Sequence, residues 1–142
     1  MEGTPGESEG EVWTYSTAPE RLKYKWEFYF KDAPARVREN IQMDEVGTYS
    51  VTDMRSADKT SRLIRDELRR ISGLAGMKGS IIDGSACVGG NTISFAKHFE
   101  KVTAYEISGT RCQMLRHNLA LFNVVEKVNV IQGDFVGAIQ NF

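Results

Sequence analysis

Cysteine is scarce: Cys87 and Cys112 are the only two in 142 residues. That excludes a disulfide framework. With two histidines and no Cys-x-x-Cys, no zinc-ligand spacing is present, and no metal is expected. Proline is equally scarce. Pro5, Pro19 and Pro34 all lie in the first quarter, so nothing after them is interrupted by a proline. No apolar run nears the roughly 20 residues of a membrane span, and no membrane partner is expected. An excess of one charge is also missing: 18 Lys and Arg oppose 19 Asp and Glu, for a net charge of −1. A globally basic nucleic-acid binder is excluded, although a local basic patch is not. The acidic start has neither a basic nor an apolar leader region. The expected location is therefore intracellular, in nucleus or cytoplasm, and not secreted.

What is present is globular: 41% hydrophobic and 26% charged residues, enough for one domain. Residues 1–12 are Gly, Ser and Glu with little to bury and read as a disordered acidic tail. Residues 13–56 read as an N-terminal extension. In it, Leu22, Tyr24, Trp26, Phe28 and Phe30 alternate with mostly charged residues, a strand-like period over 21–31. A short helix is expected over 35–41 and a turn over 43–53. A long helix is expected over 57–71, capped by Ser56, with Leu63, Ile64, Leu68 and Ile71 on its inward face. From Ser80 the pattern changes. Strands at 80–83, 102–107 and 128–131 alternate with helices at 91–99 and 110–122. This alternation predicts an α/β fold, the N-terminal half of a doubly wound parallel sheet.

The chemistry-bearing residues fall at the ends of these strands. The first strand ends in Asp83 and runs into Asp-Gly-Ser-Ala-Cys-Val-Gly-Gly-Asn-Thr. Glu106 ends the second strand, 23 residues on, and Asp134 follows the third. Ligands of open α/β sheets bind at that edge, and an acidic residue about 20 residues past a Gly-rich turn suits the two hydroxyls of a ribose. A pyrophosphate-binding loop avoids a nearby carboxylate and reads Gly-x-Gly-x-x-Gly. Here the strand itself ends in a carboxylate, which suits a cation. S-adenosylmethionine (SAM) carries an ammonium and a sulfonium at one end and adenosine at the other. Asp83 for the methionine end, Glu106 for the ribose and Asp134 for the adenine amine form a consistent set.

These segments follow the order of class I SAM-dependent methyltransferases, which have a Rossmann-like fold. More narrowly, the chain resembles the trimethylguanosine synthase family, the cap guanine-N2 methyltransferases. The resemblance is carried by Asp83–Ala96 (DGSACVGGNTISFA), Val102–Ile107 (VTAYEI), Arg116–Asn118 (RHN) and Val130–Phe135 (VIQGDF). Upstream it is carried by Leu22–Trp26 (LKYKW) and Asp44–Asp53 (DEVGTYSVTD). The resemblance implies cofactor contacts at Asp83, Gly84, Ser85, Ala86, Gly89, Asn91, Thr92, Glu106, Asp134 and Phe135. It implies contacts to a capped RNA at Lys23 or Lys25, at Ser50 and at Asn118. A lysine, a serine and an asparagine are sensible donors to phosphate oxygens. The implied reaction is methyl transfer to the N2 amine of a 7-methylguanosine cap. Such a site works chiefly by alignment, so no catalytic histidine is expected, and His98 and His117 read as surface residues.

The chain departs from the family pattern at Cys87, where the family has Gly, and at Thr48 and Asp53, where it has Trp and Pro. It also has no Pro-Pro-Trp after Asp134, the family's catalytic motif. Three accounts of that absence stand open: a fragment of a longer protein, a sheet completed by a partner chain, or a remnant. Two other functions remain open as well. One is a methyltransferase for another base amine or a small molecule, and the other is a non-catalytic methyltransferase-like module.

Overall fold

The computed structural model describes residues 10–73 and 79–140. Most of the acidic N-terminal tail, residues 1–9, lies outside them. The extension begins with an isolated bridge, Trp13 to Met43. It continues through α1 (Lys23–Tyr29), α2 (Ala35–Arg38) and α3 (Glu45–Ser50). The long helix α4 (Met54–Ser72) follows. Then β1 (Ser80–Asp83), α5 (Gly90–His98), β2 (Lys101–Glu106), α6 (Gly109–Leu121), β3 (Val128–Gln132) and α7 (Phe135–Ile139) complete the chain.

The three strands form one parallel sheet in the order β1-β2-β3. This is the expected α/β half-sheet. Ile81, Val102 and Val128 are in register, as are Asp83, Ala104 and Val130. Apolar residues of these two rows pack with Ile93, Phe95, Ala96 and Phe99 of α5 and with Leu115 and Leu119 of α6.

Four expectations need correction. Residues 21–31 are helical, not extended. The alternating aromatics also contain a four-residue period, Leu22, Trp26 and Phe30. Those three are buried, while Tyr24 and Phe28 stay more than half exposed. The same string satisfies both periods, and the i, i+4 set is the one that fills a core. Residues 45–50 form α3 instead of a turn, with the Asp44 side chain accepting from the Gly47 N–H at 2.7 Å. The cap of α4 is Asp53, which accepts from the Ser56 N–H at 2.9 Å, so the helix starts three residues early. The division between residues 56 and 57 thus falls inside α4.

The face of α4 is the fourth correction. Its buried residues are Ala57 and Ser61, whereas Leu63 and Ile71 are 64% and 70% exposed. Small side chains let α4 approach α5 closely, and the Ser61 and Ser94 hydroxyls meet at 2.6 Å. The expected surface histidine His98 also lies in this seam. Its Nε2 sits 2.6 Å from Asp58 and its Nδ1 3.2 Å from the Arg65 guanidinium. Because the guanidinium can only donate, this arrangement makes Nδ1 the acceptor and Nε2–H the donor to Asp58.

The extension is not a separate unit. Its buried Leu22, Trp26, Phe30, Val37, Ile41 and Met43 form one cluster with Val88, from the loop after β1, and Met114 of α6. Helix α6 therefore feeds two cores, Met114 to this one and Leu115 with Leu119 to the sheet. Asn118, fully buried on the same helix, ties the two together. Its Oδ1 accepts from the Gln42 N–H at 2.8 Å, and its Nδ2 donates to the Gln42 and Val88 carbonyls at 2.9 and 2.8 Å. A second tie is the ion pair Arg111–Asp44 at 3.0 Å, with the carboxylate nearly buried.

Asn118→Ala should leave the buried Val88 carbonyl and two part-buried Gln42 backbone groups without their partner. At about 1–3 kcal/mol for each unsatisfied group, and less than additively, we expect a loss of about 3 kcal/mol or more. Urea unfolding followed by circular dichroism measures it, with no ligand present.

Candidate functional site

The carboxyl edge of the sheet gathers the sequence-predicted acidic residues. The segment 84–89 leaves β1, crosses to the next strand through the Ala86 N–H bonded to the Tyr105 carbonyl (2.9 Å), and enters α5 at Gly90. A crevice of about 160 Å³ opens beside it, lined by Gly84, Ser85, Tyr105, Glu106, Ile107, Gly133, Asp134 and Phe135. Glu106 and Asp134 share this crevice, and Asp83 adjoins it through Gly84.

Each carboxylate has a different environment. Glu106 is buried at the end of β2, and its Oε2 accepts from the Ser108 N–H at 2.7 Å. Among the described residues nothing hydrogen-bonds its Oε1. Asp134 is exposed and caps α7, its Oδ1 accepting from the Val136 N–H at 3.1 Å while Oδ2 is unengaged among the described residues. Asp83 is the enclosed one. Its Oδ2 accepts from the Thr92 hydroxyl at 2.7 Å and its Oδ1 from the Ser85 N–H at 3.2 Å. Burial pushes its carboxyl above the ordinary carboxylate range, and the two hydrogen bonds only partly oppose this. No cation faces it among the described residues. The donor set fits a ligand with a cation near Asp83 and hydroxyl or amine donors near Glu106 and Asp134.

The glycines do something the sequence did not disclose. A Cβ on Gly90 would fall 2.6 Å from the Thr52 carbonyl oxygen, and one on Gly84 would fall 2.6 Å from the Phe135 ring. Both close approaches are to the protein itself, not to open space. Gly90 lets the extension press its 51–52 backbone onto the start of α5, where Asn91 Nδ2 donates to the Thr52 hydroxyl at 3.0 Å. Gly84 seats Phe135, whose ring leans on Tyr105 with 5.5 Å between ring centres.

Cys87, where the resemblance implies glycine, adopts φ +51°, a left-handed conformation costly for a side-chain-bearing residue. Its backbone thus keeps the glycine conformation. Burial, with the Glu106 charge, pushes its thiol up to about 11. It is a packed small side chain, not a nucleophile.

The implied substrate residues are scattered. Ser50 is exposed at the end of α3. Lys23 is partly exposed, pairing with Glu20 at 3.2 Å and lying over the Tyr15 ring. Lys25 is buried. It donates to the Thr48 carbonyl at 2.9 Å, with the Tyr49 ring centre 4.3 Å away. Asn118 has its carbonyl and amide both spent in the clamp described above. Thr52, Asp44 and Arg111 were not singled out in the sequence, because their partners lie 39 to 67 positions away. A larger cavity of about 280 Å³ between α4 and α5 has an internally paired lining, Arg55 with Asp32 and Asp58 with His98.

Residues 78–142 match the family model described as RNA cap guanine-N2 methyltransferase. The chain is 32% identical over 117 residues to the trimethylguanosine synthase of Schizosaccharomyces pombe, a match covering 82% of this chain and 45% of that protein. The chain therefore spans about half the length of this curated relative. Among solved structures, Methanocaldococcus jannaschii Trm5 in complex with adenosine is similar over 49% of this chain and 22% of its own. The identity is 24% and the TM-score 0.39. An O-methyltransferase from Bacillus cereus in complex with SAH is similar over 61% of this chain and 47% of its own, with 17% identity and a TM-score of 0.41.

Two outcomes follow. The Asp83 carboxyl titrates higher folded than unfolded, so its contribution to stability is present below the ordinary carboxylate pKa. That contribution is lost as pH rises through the raised value. At neutral pH the ionised group is a cost, and Asp83→Asn should melt at or above the parent temperature by calorimetry. For Cys87, a thiol near 11 against an unfolded value near 9 predicts alkylation at neutral pH about a hundredfold slower folded than in urea. Mass spectrometry after iodoacetamide treatment measures it.

Proposed function

We propose, for a chain that is methyltransferase in family and resembles the RNA cap guanine-N2 methyltransferases over most of its length, that it is a SAM-binding unit. The proposed reaction is methyl transfer to the N2 amine of a 7-methylguanosine cap on RNA. The observation carrying the cofactor reading is the placement of Asp83, Glu106 and Asp134 along one edge of the sheet, the last two lining the crevice beside the 84–90 loop. The sequence similarity carries the choice of substrate.

When bound, SAM supplies a methyl group on a sulfonium, which leaves as a neutral thioether once the methyl has moved. The residues present account for holding it. Ionised Asp83 would face its cation, which would offset the desolvation that otherwise lifts the Asp83 pKa. Glu106 Oε1 would accept from the ribose hydroxyls and Asp134 Oδ2 from the adenine amine. Phe135 and Tyr105 form an apolar wall at the adenine end. The acceptor amine needs little base strength from the protein, since its proton can leave to water after transfer. Lys23 and Ser50, on the exposed side of the extension, are the donors to RNA phosphate oxygens in this reading. Lys25 and Asn118 act at one remove, by holding α1 to α3 and α6 to the loop. No proline follows Pro34, so the Pro-Pro-Trp motif that the resemblance implies is not among these 142 residues.

The test is calorimetric titration of the chain with S-adenosylhomocysteine (SAH). Saturable binding is expected, weakened about tenfold or more by Glu106→Ala, an interaction of at least about 1.4 kcal/mol. With SAM, whose sulfonium adds a charge, affinity should rise as pH climbs through the raised Asp83 value, and this dependence should vanish in Asp83→Asn. Unchanged affinity in Glu106→Ala would overturn the ribose assignment. No binding to a chain folded by circular dichroism would overturn the cofactor reading.

A further inference from the structure

The α1 segment carries two apolar faces. Leu22, Trp26 and Phe30 fill the core on one, while Tyr24 and Phe28, also four apart, stay more than half exposed on another. Helix α3 brings a third exposed ring, Tyr49, to the same place. What gathers these rings is Lys25. Its Nζ lies 4.3 Å from the Tyr49 ring centre, 5.7 Å from that of Tyr24 and 5.8 Å from that of Tyr29. Phe28 meets the Tyr29 ring edge to face, with 5.4 Å between centres. Single exposed apolar residues are ordinary, but here the exposed rings form one patch over a buried lysine.

The charge under this patch has no counter-charge. Lys25 is buried and donates to the Thr48 carbonyl at 2.9 Å, and among the described residues no carboxylate pairs with it. Taking an ammonium out of water is costly, and one carbonyl with the ring faces offsets only part of that cost. The carboxylates nearby are already engaged: Glu20 with Lys23, Glu45 with Arg21, and Glu27 with the Tyr15 hydroxyl. A ligand that fits must therefore offer flat faces to the rings and negative charge to the lysine. A single-stranded polynucleotide offers both, since its bases stack on aromatic rings while its phosphates follow a cation. The position agrees. Tyr49 adjoins Ser50, and the chain runs on to Thr52, which meets Gly90 and Asn91 at the start of α5, beside the cofactor crevice.

We infer that Tyr24, Phe28 and Tyr49 form a stacking platform for unpaired bases of RNA, with Lys25 attracting the backbone that joins them. The inference rests on the proposed function, in which the acceptor is an RNA, and assigns the part of the extension that holds the strand beyond its cap.

An uncapped strand tests this apart from cap and cofactor. The probe is a fluorescein-labelled oligouridylate of about ten nucleotides, titrated with the chain and followed by fluorescence anisotropy. Saturable binding is expected, weakening as salt rises. Tyr24→Ala and Tyr49→Ala should each lower affinity about tenfold, whereas Tyr24→Phe and Tyr49→Phe, which keep the ring, should stay within about twofold of the parent. All four variants should bind SAH within about twofold of the parent. An RNA duplex of the same length, whose bases are already stacked, should be indifferent to the alanine substitutions.

A folded chain that binds no single strand would overturn the inference. Binding that survives the loss of both rings would overturn it too, because charge alone would then account for it. So would a homodimer broken by the two alanine substitutions with no RNA bound, since a second copy would then own the surface. Because SAH is titrated separately, any of these results leaves the cofactor reading standing, and ring-dependent RNA binding without SAH binding supports the platform while the cofactor reading falls.

Discussion

The close seating of the N-terminal extension on the loop after β1 is the constraint on which the rest depends. It is made by Asn118 reaching both Gln42 and Val88, by Arg111 pairing with Asp44, and by Gly90 yielding its side-chain space to the Thr52 backbone. Apart from Asp44, which also caps α3, these contacts run between elements, so the loop's shape is imposed by sequence 30 to 80 residues away. This explains how Cys87 keeps a left-handed backbone. The strain, of order 1–3 kcal/mol, persists because Ala86 and Val88 on either side are buried and bonded.

Electrostatically the site is built to be incomplete. Asp83 is enclosed, accepts two hydrogen bonds and still sits above its ordinary pKa, because burial outweighs them and no cation faces it among the described residues. Glu106 and Asp134 each spend one oxygen on a backbone N–H and, among the described residues, leave the other unengaged. A buried carboxylate so weakly supported is the kind of group that marks a candidate binding site.

Much of this was legible in the sequence. The strand–helix alternation after Ser80 gave the sheet, its parallel order and the three acidic strand ends, because local period and chain topology agree there. The extension was read less well. Leu22 to Phe30 satisfies a period of two and a period of four at once, and only the existence of a core to receive Trp26 decides between them. The face of α4 was misread for a related reason. Its large apolar residues predict burial, but close packing on α5 selects the small Ala57 and Ser61. Asn118 shows the limit of a motif. Arg-His-Asn marked an important asparagine, yet nothing local shows that its partners are Gln42 and Val88.

Helix α6 gives Met114 to the extension's core and Leu115 and Leu119 to the sheet's. Adjacent residues of one rigid helix thus stand in two clusters, and neither cluster can loosen without dragging that helix from the other. Both tryptophans, Trp13 and Trp26, lie in the extension. Through α6 their fluorescence should report on the sheet as well as on the extension, with one transition expected for both.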